Sequence, residues 1–222
     1  MKTGMNWLLL FLIGCALSGC LNREILDELV LVNAIGFDEG EGEEIIGTIY
    51  APVYKHKTDI ENITMTTRGT IKKTILQNVQ RESPAKVALG SLEVILFEDR
   101  LAEKGGILEL VDAFQRDPAV GTEVILVITE GKTQDLLAGE YGVSGNADFI
   151  LRLMENNITN ENIPNTNLQL FLSDFYKKGK SPFLPIIRQK NKYHLEITGV
   201  ALLHYGKMVA KVPGENLFFF KL

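Results

Sequence analysis

The sequence predicts an α+β fold with an α/β-like core: a mixed β-sheet packed with helices, containing a βαβ unit and followed by the start of a second domain. Three observations carry this. At the centre, two short apolar runs, Leu92 to Phe97 and Glu123 to Thr129, flank a segment of helical spacing, the pattern of two parallel strands joined by a right-handed crossover. On either side, runs rich in β-formers alternate with Gly, Pro and acidic turns, the pattern of hairpins. The chain of 222 residues is 45% hydrophobic and 23% charged, the composition of a packed globular protein rather than a disordered one.

The elements follow in order. Glu28 to Phe37 reads as a strand, Asp38 to Glu44 as a Gly/acid turn and Ile45 to Val53 as the returning strand of a hairpin. Asn62 to Arg68, alternating and Thr-rich, is a third strand. Thr70 can cap a helix over Ile71 to Arg81, which puts Ile71, Ile75, Leu76 and Val79 on one face. Leu92 to Phe97 is a buried strand. Ala102 to Arg116 is helical, with Ile107, Leu108, Leu110, Val111 and Phe114 in register; Gly105 and Gly106 weaken its start and Asp117-Pro118 stops it. After the strand ending at Thr129, helices follow over Asn146 to Asn156 and Asn167 to Tyr176, each with a four-residue apolar face. Pro182 and Pro185 punctuate an extended stretch to Ile187. Tyr193 to Leu203 and Lys207 to Val212 are strands that turn at Tyr205-Gly206, and Pro213-Gly214-Glu215 opens a new helix. Leu217, Phe218, Phe219 and Phe220 would then lie exposed, awaiting whatever packs on them.

The N-terminus carries a targeting device. Lys2 precedes an apolar run from Trp7 to Leu17, about half the ~20 residues a membrane-spanning helix needs and the right length for a signal-peptide core. Leu17-Ser18-Gly19-Cys20 follows, similar to the lipobox of bacterial lipoproteins, with small residues for a narrow cleavage pocket and a thiol to take the diacylglyceryl group. Two or three acyl chains at ~0.8 kcal/mol per buried methylene make a stable anchor where one would be marginal. Residues 1–19 thus read as a signal peptide. Of the two cysteines, Cys15 would be removed and Cys20 consumed by lipid, so the mature domain folds without a disulfide and offers no catalytic thiol.

Charge and motif narrow the chemistry. A net charge of −5 provides no basic footprint for nucleic acid and no purely electrostatic membrane attachment. Gly131-Lys132-Thr133 follows a strand, as in a phosphate-binding loop, but the position five residues before Gly131 is Leu126 and there is no Gly-rich cradle; a turn with Thr133 as helix N-cap fits better. Gly142 to Asn146 falls short of a nucleophile elbow and reads as a loop. None of the three histidines, His56, His194 and His204, pairs with another ligand type at metal spacing; His194 and His204 could meet across a hairpin, but exposed strand histidines are the default reading. Asp38, Glu39, Glu41, Glu43 and Glu44 lack the alternation of a calcium loop and read as a solvated turn. No catalytic constellation, metal site or cofactor site emerges.

Three stretches resemble the Ger(x)C family of spore germination lipoproteins. The first is Cys20 with Arg23-Glu24-Ile25 and Glu28-Leu29, leading to Gly36-Phe37-Asp38. The second runs from Ser83-Pro84 through Leu92 to Ile95, then Ala102 to Gly105 and Arg116-Asp117-Pro118. The third is Leu184-Pro185-Ile186, then Ile197 to Ala201 and Gly206 to Val209. Leu21 stands where the family often has an aromatic residue, and Ser91 where it often has His. Family members continue well beyond the point matching Leu222, so the resemblance implies a C-terminally truncated version, with 20–190 as an N-terminal Ger(x)C-type domain and 191–222 as the start of a following one. It also implies a non-enzymatic subunit of a nutrient germinant receptor, lipid-anchored at Cys20 on the outer face of the spore inner membrane, with integral-membrane A and B type subunits as partners. The competing expectation is a solute-binding lipoprotein of a transporter, which needs two lobes around a cleft.

Overall fold

The computed structural model describes residues 29–56 and 59–221; Cys20 and the signal segment lie outside the described residues. The chain forms an eight-stranded mixed sheet with helices on both faces. Strands β1 (Leu29–Leu31), β2 (Ala34–Glu39), β3 (Ile45–His56) and β4 (Asp59–Gly69) are followed by α1 (Lys72–Glu82), β5 (Lys86–Ala88) and β6 (Val94–Glu98). Helices α2 (Asp99–Lys104) and α3 (Leu108–Gln115) lead to β7 (Ile125–Glu130). Next come α4 (Thr133–Leu137), α5 (Asn146–Thr159) and α6 (Leu168–Tyr176), then β8 (Phe183–Asn191), β9 (His194–His204), β10 (Lys207–Pro213) and a 3-10 segment, Gly214–Lys221. The sheet order is β10-β9-β8-β7-β6-β2-β3-β4, and β1 pairs separately with β5.

The four central strands, β2, β6, β7 and β8, are parallel, and both flanks are antiparallel hairpins. The predicted βαβ unit is β6, α2–α3 and β7. Its strands are apolar on both faces because both faces are covered. Ile95, Phe97, Leu126 and Ile128 enter one core, while Val94, Leu96, Ile125 and Val127 enter the other. The first core lies under α1, α2, α3 and α6 around Phe37, which stacks on Phe97 and meets Phe114 edge-on, each at 5.8 Å. The second lies under α4 and α5 around Tyr50, Tyr141, Ile150 and Met154.

Several elements differ from the sequence expectation, each for a physical reason. The predicted strand over 28–37 breaks at Val32-Asn33, where the Asn33 carbonyl accepts from both Glu93 N–H and Val94 N–H and redirects the chain. Ile71, not Thr70, occupies the N-cap of α1, and no side chain caps it. The single helix over Ala102 to Arg116 is two, parted at Gly105-Gly106. There the Ile107 N–H donates to the Gly206 carbonyl at 2.8 Å. Both Gly106 and Gly206 have positive φ, and a Cβ on Gly206 would fall 2.6 Å from that of Leu108. The α2–α3 joint and the β9–β10 turn therefore touch through glycines.

That contact bears on the C-terminal stretch. Residues 191–213 carry the sheet on through β9 and β10, and Lys211 in β10 bonds Asp99 in α2 at 2.7 Å. Helix α2 touches both β2 and β10, so the sheet curls round the first core. Alternation marked β9 and β10 as strands, but a two-residue period says nothing about which strand is the partner. Leu217, expected on the surface, is buried in the second core. His194 and His204 do not meet: they sit at opposite ends of β9, about 33 Å apart at the usual rise of ~3.3 Å per residue.

Candidate functional site

Parallel strands gather their C-terminal ends on one edge, where open α/β sheets place ligand sites. Here that edge holds Asp38 and Glu39 of β2, Glu98 of β6, and Lys132 and Thr133 just after β7. The acidic run read as one solvated turn is therefore split. Asp38 is fully buried and Glu39 half-buried in a strand, while Glu41, Glu43 and Glu44 are exposed.

The buried groups are bonded to one another. Asp38 Oδ1 accepts from Thr133 N–H at 2.7 Å and Oδ2 from Gln134 N–H at 3.2 Å, so the carboxylate caps α4 from another strand. This replaces the expected Thr133 cap: Lys132 is the N-cap residue and its side chain makes no capping bond. Gly36 explains how α4 sits so low on the sheet, since a Cβ there would lie 2.3 Å from Thr133 Oγ1. Burial pushes the Asp38 carboxyl above its ordinary value, against the lowering effect of the two backbone N–H bonds. Lys132 Nζ donates to Glu98 Oε2 at 2.9 Å and to the Glu39 carbonyl at 3.0 Å, and the Glu39 N–H also donates to Glu98 Oε2 at 2.7 Å. The hydrogen bond from Lys104 holds the Glu39 carboxyl below its usual range.

A second hub lies where the Gly142–Asn146 loop meets the start of α5. Asn146 is fully buried: its Oδ1 accepts from Tyr141 N–H, its Nδ2 donates to the Leu137 and Gly139 carbonyls, and its N–H donates to the Tyr50 hydroxyl. Neither cluster has the parts of a reaction centre. Within Gly131-Lys132-Thr133, Lys132 Nζ and the Thr133 N–H are bonded into the fold, and among the described residues no group of three or more His, Cys, Asp or Glu side chains is placed to hold a metal ion.

An open feature lies between α1 and α3, on the face of the first core. A groove there has two lobes of about 890 and 900 Å³ that share Lys73 and Ala113. One lobe reaches β5 and the Asp117-Pro118 turn. The other is walled by the β2–β3 turn, the α2–α3 joint and Tyr205 at the β9–β10 turn. Ile71 is 49% exposed and Tyr205 79% exposed beside it, large apolar surface in water.

Residues 22–189 match the spore germination protein N-terminal domain. The chain belongs to the Ger(x)C family of spore germination proteins. It is 33% identical to spore germination protein GerQC of Bacillus cereus over 219 residues, covering 98% of this chain and 60% of that protein. The chain thus spans less than two thirds of the length of this Ger(x)C relative. A comparison with the crystal structure of the GerBC protein gives a TM-score of 0.41 at 13% identity, covering 82% of this chain and 52% of that one.

The Ger(x)C motifs recognised in the sequence fall at structural positions. Gly36-Phe37-Asp38 is the end of β2 that seats and caps α4, Arg116-Asp117-Pro118 follows α3, and Gly206 begins the turn into β10 against α3. Among the described residues, no helix is long and apolar enough to cross a membrane.

Proposed function

We propose that this protein is a lipoprotein subunit of a nutrient germinant receptor, held on the outer face of the spore inner membrane through Cys20 and acting by binding integral-membrane A and B type subunits rather than by catalysis. The observation that carries this reading is an adjacency: the family match begins at residue 22, two residues after the cysteine of the lipobox. The chain from Cys20 to Leu29 reaches at most about 30 Å fully extended, which keeps the folded domain beside the bilayer. A subunit that works by contact needs surface that its own fold does not consume. The charged groups at the strand ends are bonded within the fold, whereas Glu43, Glu44 and Glu109 along the groove are exposed.

Intact mass spectrometry of protein recovered from membranes tests the anchor. The expected mass lacks residues 1–19 and carries two or three acyl chains, and a Cys20→Ala variant loses both features. Cleaved, unacylated protein in the soluble fraction would remove the membrane-subunit reading. Deletion of the gene should abolish germination in response to at least one nutrient; wild-type germination with every nutrient would count heavily against the receptor role.

A further inference from the structure

The two lobes of the α1–α3 groove differ in charge. We propose that together they bind one amphipathic segment of a partner protein, carrying Lys or Arg at one end, Asp or Glu at the other, and aliphatic side chains between. This rests on the partner-binding function proposed above and names the surface and the chemistry of its ligand.

The floor is apolar. Leu76 of α1, Val87 of β5, Leu89 just after it, and Leu108 and Ala113 of α3 line it. Apolar surface left open in this way is the anchor half of a helix-in-groove or extended-segment site. The rims supply polarity. The lobe at the β2–β3 turn carries Glu39, Glu43, Glu44 and Glu109 against Lys73 and Lys104, and Lys104 is already engaged by Glu39. Glu43, Glu44 and Glu109 are exposed. The lobe at β5 is lined by Lys73, Lys86 and Arg116 and by Asp117; Arg116 pairs with Asp112, and Lys86 and Asp117 are each engaged within the fold as well. A segment with uniform charge would be attracted at one lobe and repelled at the other, whereas a bipolar segment is matched at both. Each lobe alone has the volume of a small-molecule site. Continuity at Lys73 and Ala113 and the opposite rims favour one segment lying across both.

The experiment uses the full chain in detergent and four fluorescein-labelled peptides of equal length with the same leucine spacing. Two are bipolar, with lysines at the N-terminal and glutamates at the C-terminal end or the reverse; one is all lysine and one all glutamate. Fluorescence anisotropy at low salt should show one bipolar peptide binding about tenfold tighter than either single-sign peptide, with the preference fading as salt rises. Glu43→Lys, Glu44→Lys and Glu109→Lys together should erase that preference. Ala113→Trp, at the junction of the lobes, should abolish binding. If that variant fails to fold, Lys73→Trp places the same obstruction from an exposed position on α1. Equal binding of all four peptides, no saturable binding into the millimolar range, or binding indifferent to both obstructing variants would overturn the proposal. Failure here with Cys20 acylated would remove the groove and leave the receptor-subunit reading standing. An unacylated Cys20 with intact peptide selectivity would do the reverse.

Discussion

Two charged regions of this protein lie within one domain and behave in opposite ways. At the C-terminal ends of the parallel strands, Asp38, Glu98 and Lys132 bond to backbone or to one another, with the Glu98 side chain only 2% exposed. Along the α1–α3 groove, Glu43, Glu44 and Glu109 stand in solvent on an apolar floor. Location at the strand ends is where sites occur in open α/β sheets, yet here those positions secure a short helix and tie β2 to β6. Position in a fold therefore does not identify a working surface; the state of the hydrogen bonds does.

Substitutions should separate the two regions by the size of their effect on stability. The largest should come from Lys132→Ala, which leaves the buried Glu98 carboxylate with only the Glu39 N–H for a partner. Breaking a buried pair from one side costs about 3–5 kcal/mol, and because Lys132 is 38% exposed, a loss nearer the low end is expected in urea unfolding. A loss within error of zero would place this cluster with the surface ion pairs and erase the contrast.

Asp38→Ala should cost less, about 1–3 kcal/mol, by leaving Thr133 N–H and Gln134 N–H without acceptors. Asp38→Asn sharpens the point through pH. Burial raises the folded-state value of this carboxyl above its unfolded value of 3.8. Its titration therefore adds stability that is full below the unfolded value and lost as pH rises through the folded one. Asn does not titrate, so the variant should gain on the wild type as pH rises through that window. Unfolding curves that run parallel across it would contradict the assignment.

The smallest effect should come from Glu43→Lys, Glu44→Lys and Glu109→Lys, each within about 0.5 kcal/mol, as for exposed charges without structural bonds. A melting shift comparable to that of Asp38→Ala would mean that the groove rim holds the fold together and is no free surface.

Much of the fold is legible in the residues. The apolar runs of β6 and β7, the helical faces of α5 and α6, and the turn at Tyr205-Gly206 are local patterns, and local patterns survive into the structure. Asn167 even caps α6 as a helix start predicts, accepting from Leu170 N–H at 2.8 Å. The capping of α4 was not legible, because its acceptor, Asp38, lies 95 residues before Thr133. The one local hint was Asp38 closing an apolar run, and composition alone grouped it with the glutamates of the turn. Asn146 was hidden for the same reason: one of its partners, Tyr50, is 96 residues away.

The sequence by itself determined the family, the class of fold and most of the elements, since each rests on residues that are neighbours in the chain. Tertiary structure alone decided that β9 and β10 complete the same sheet, that Asp38 and Glu98 are buried while Glu43 and Glu44 are not, and that residues of α1 and α3 line an open groove. Those outcomes depend on which distant surfaces meet, and burial, partner choice and groove shape exist only once they have met.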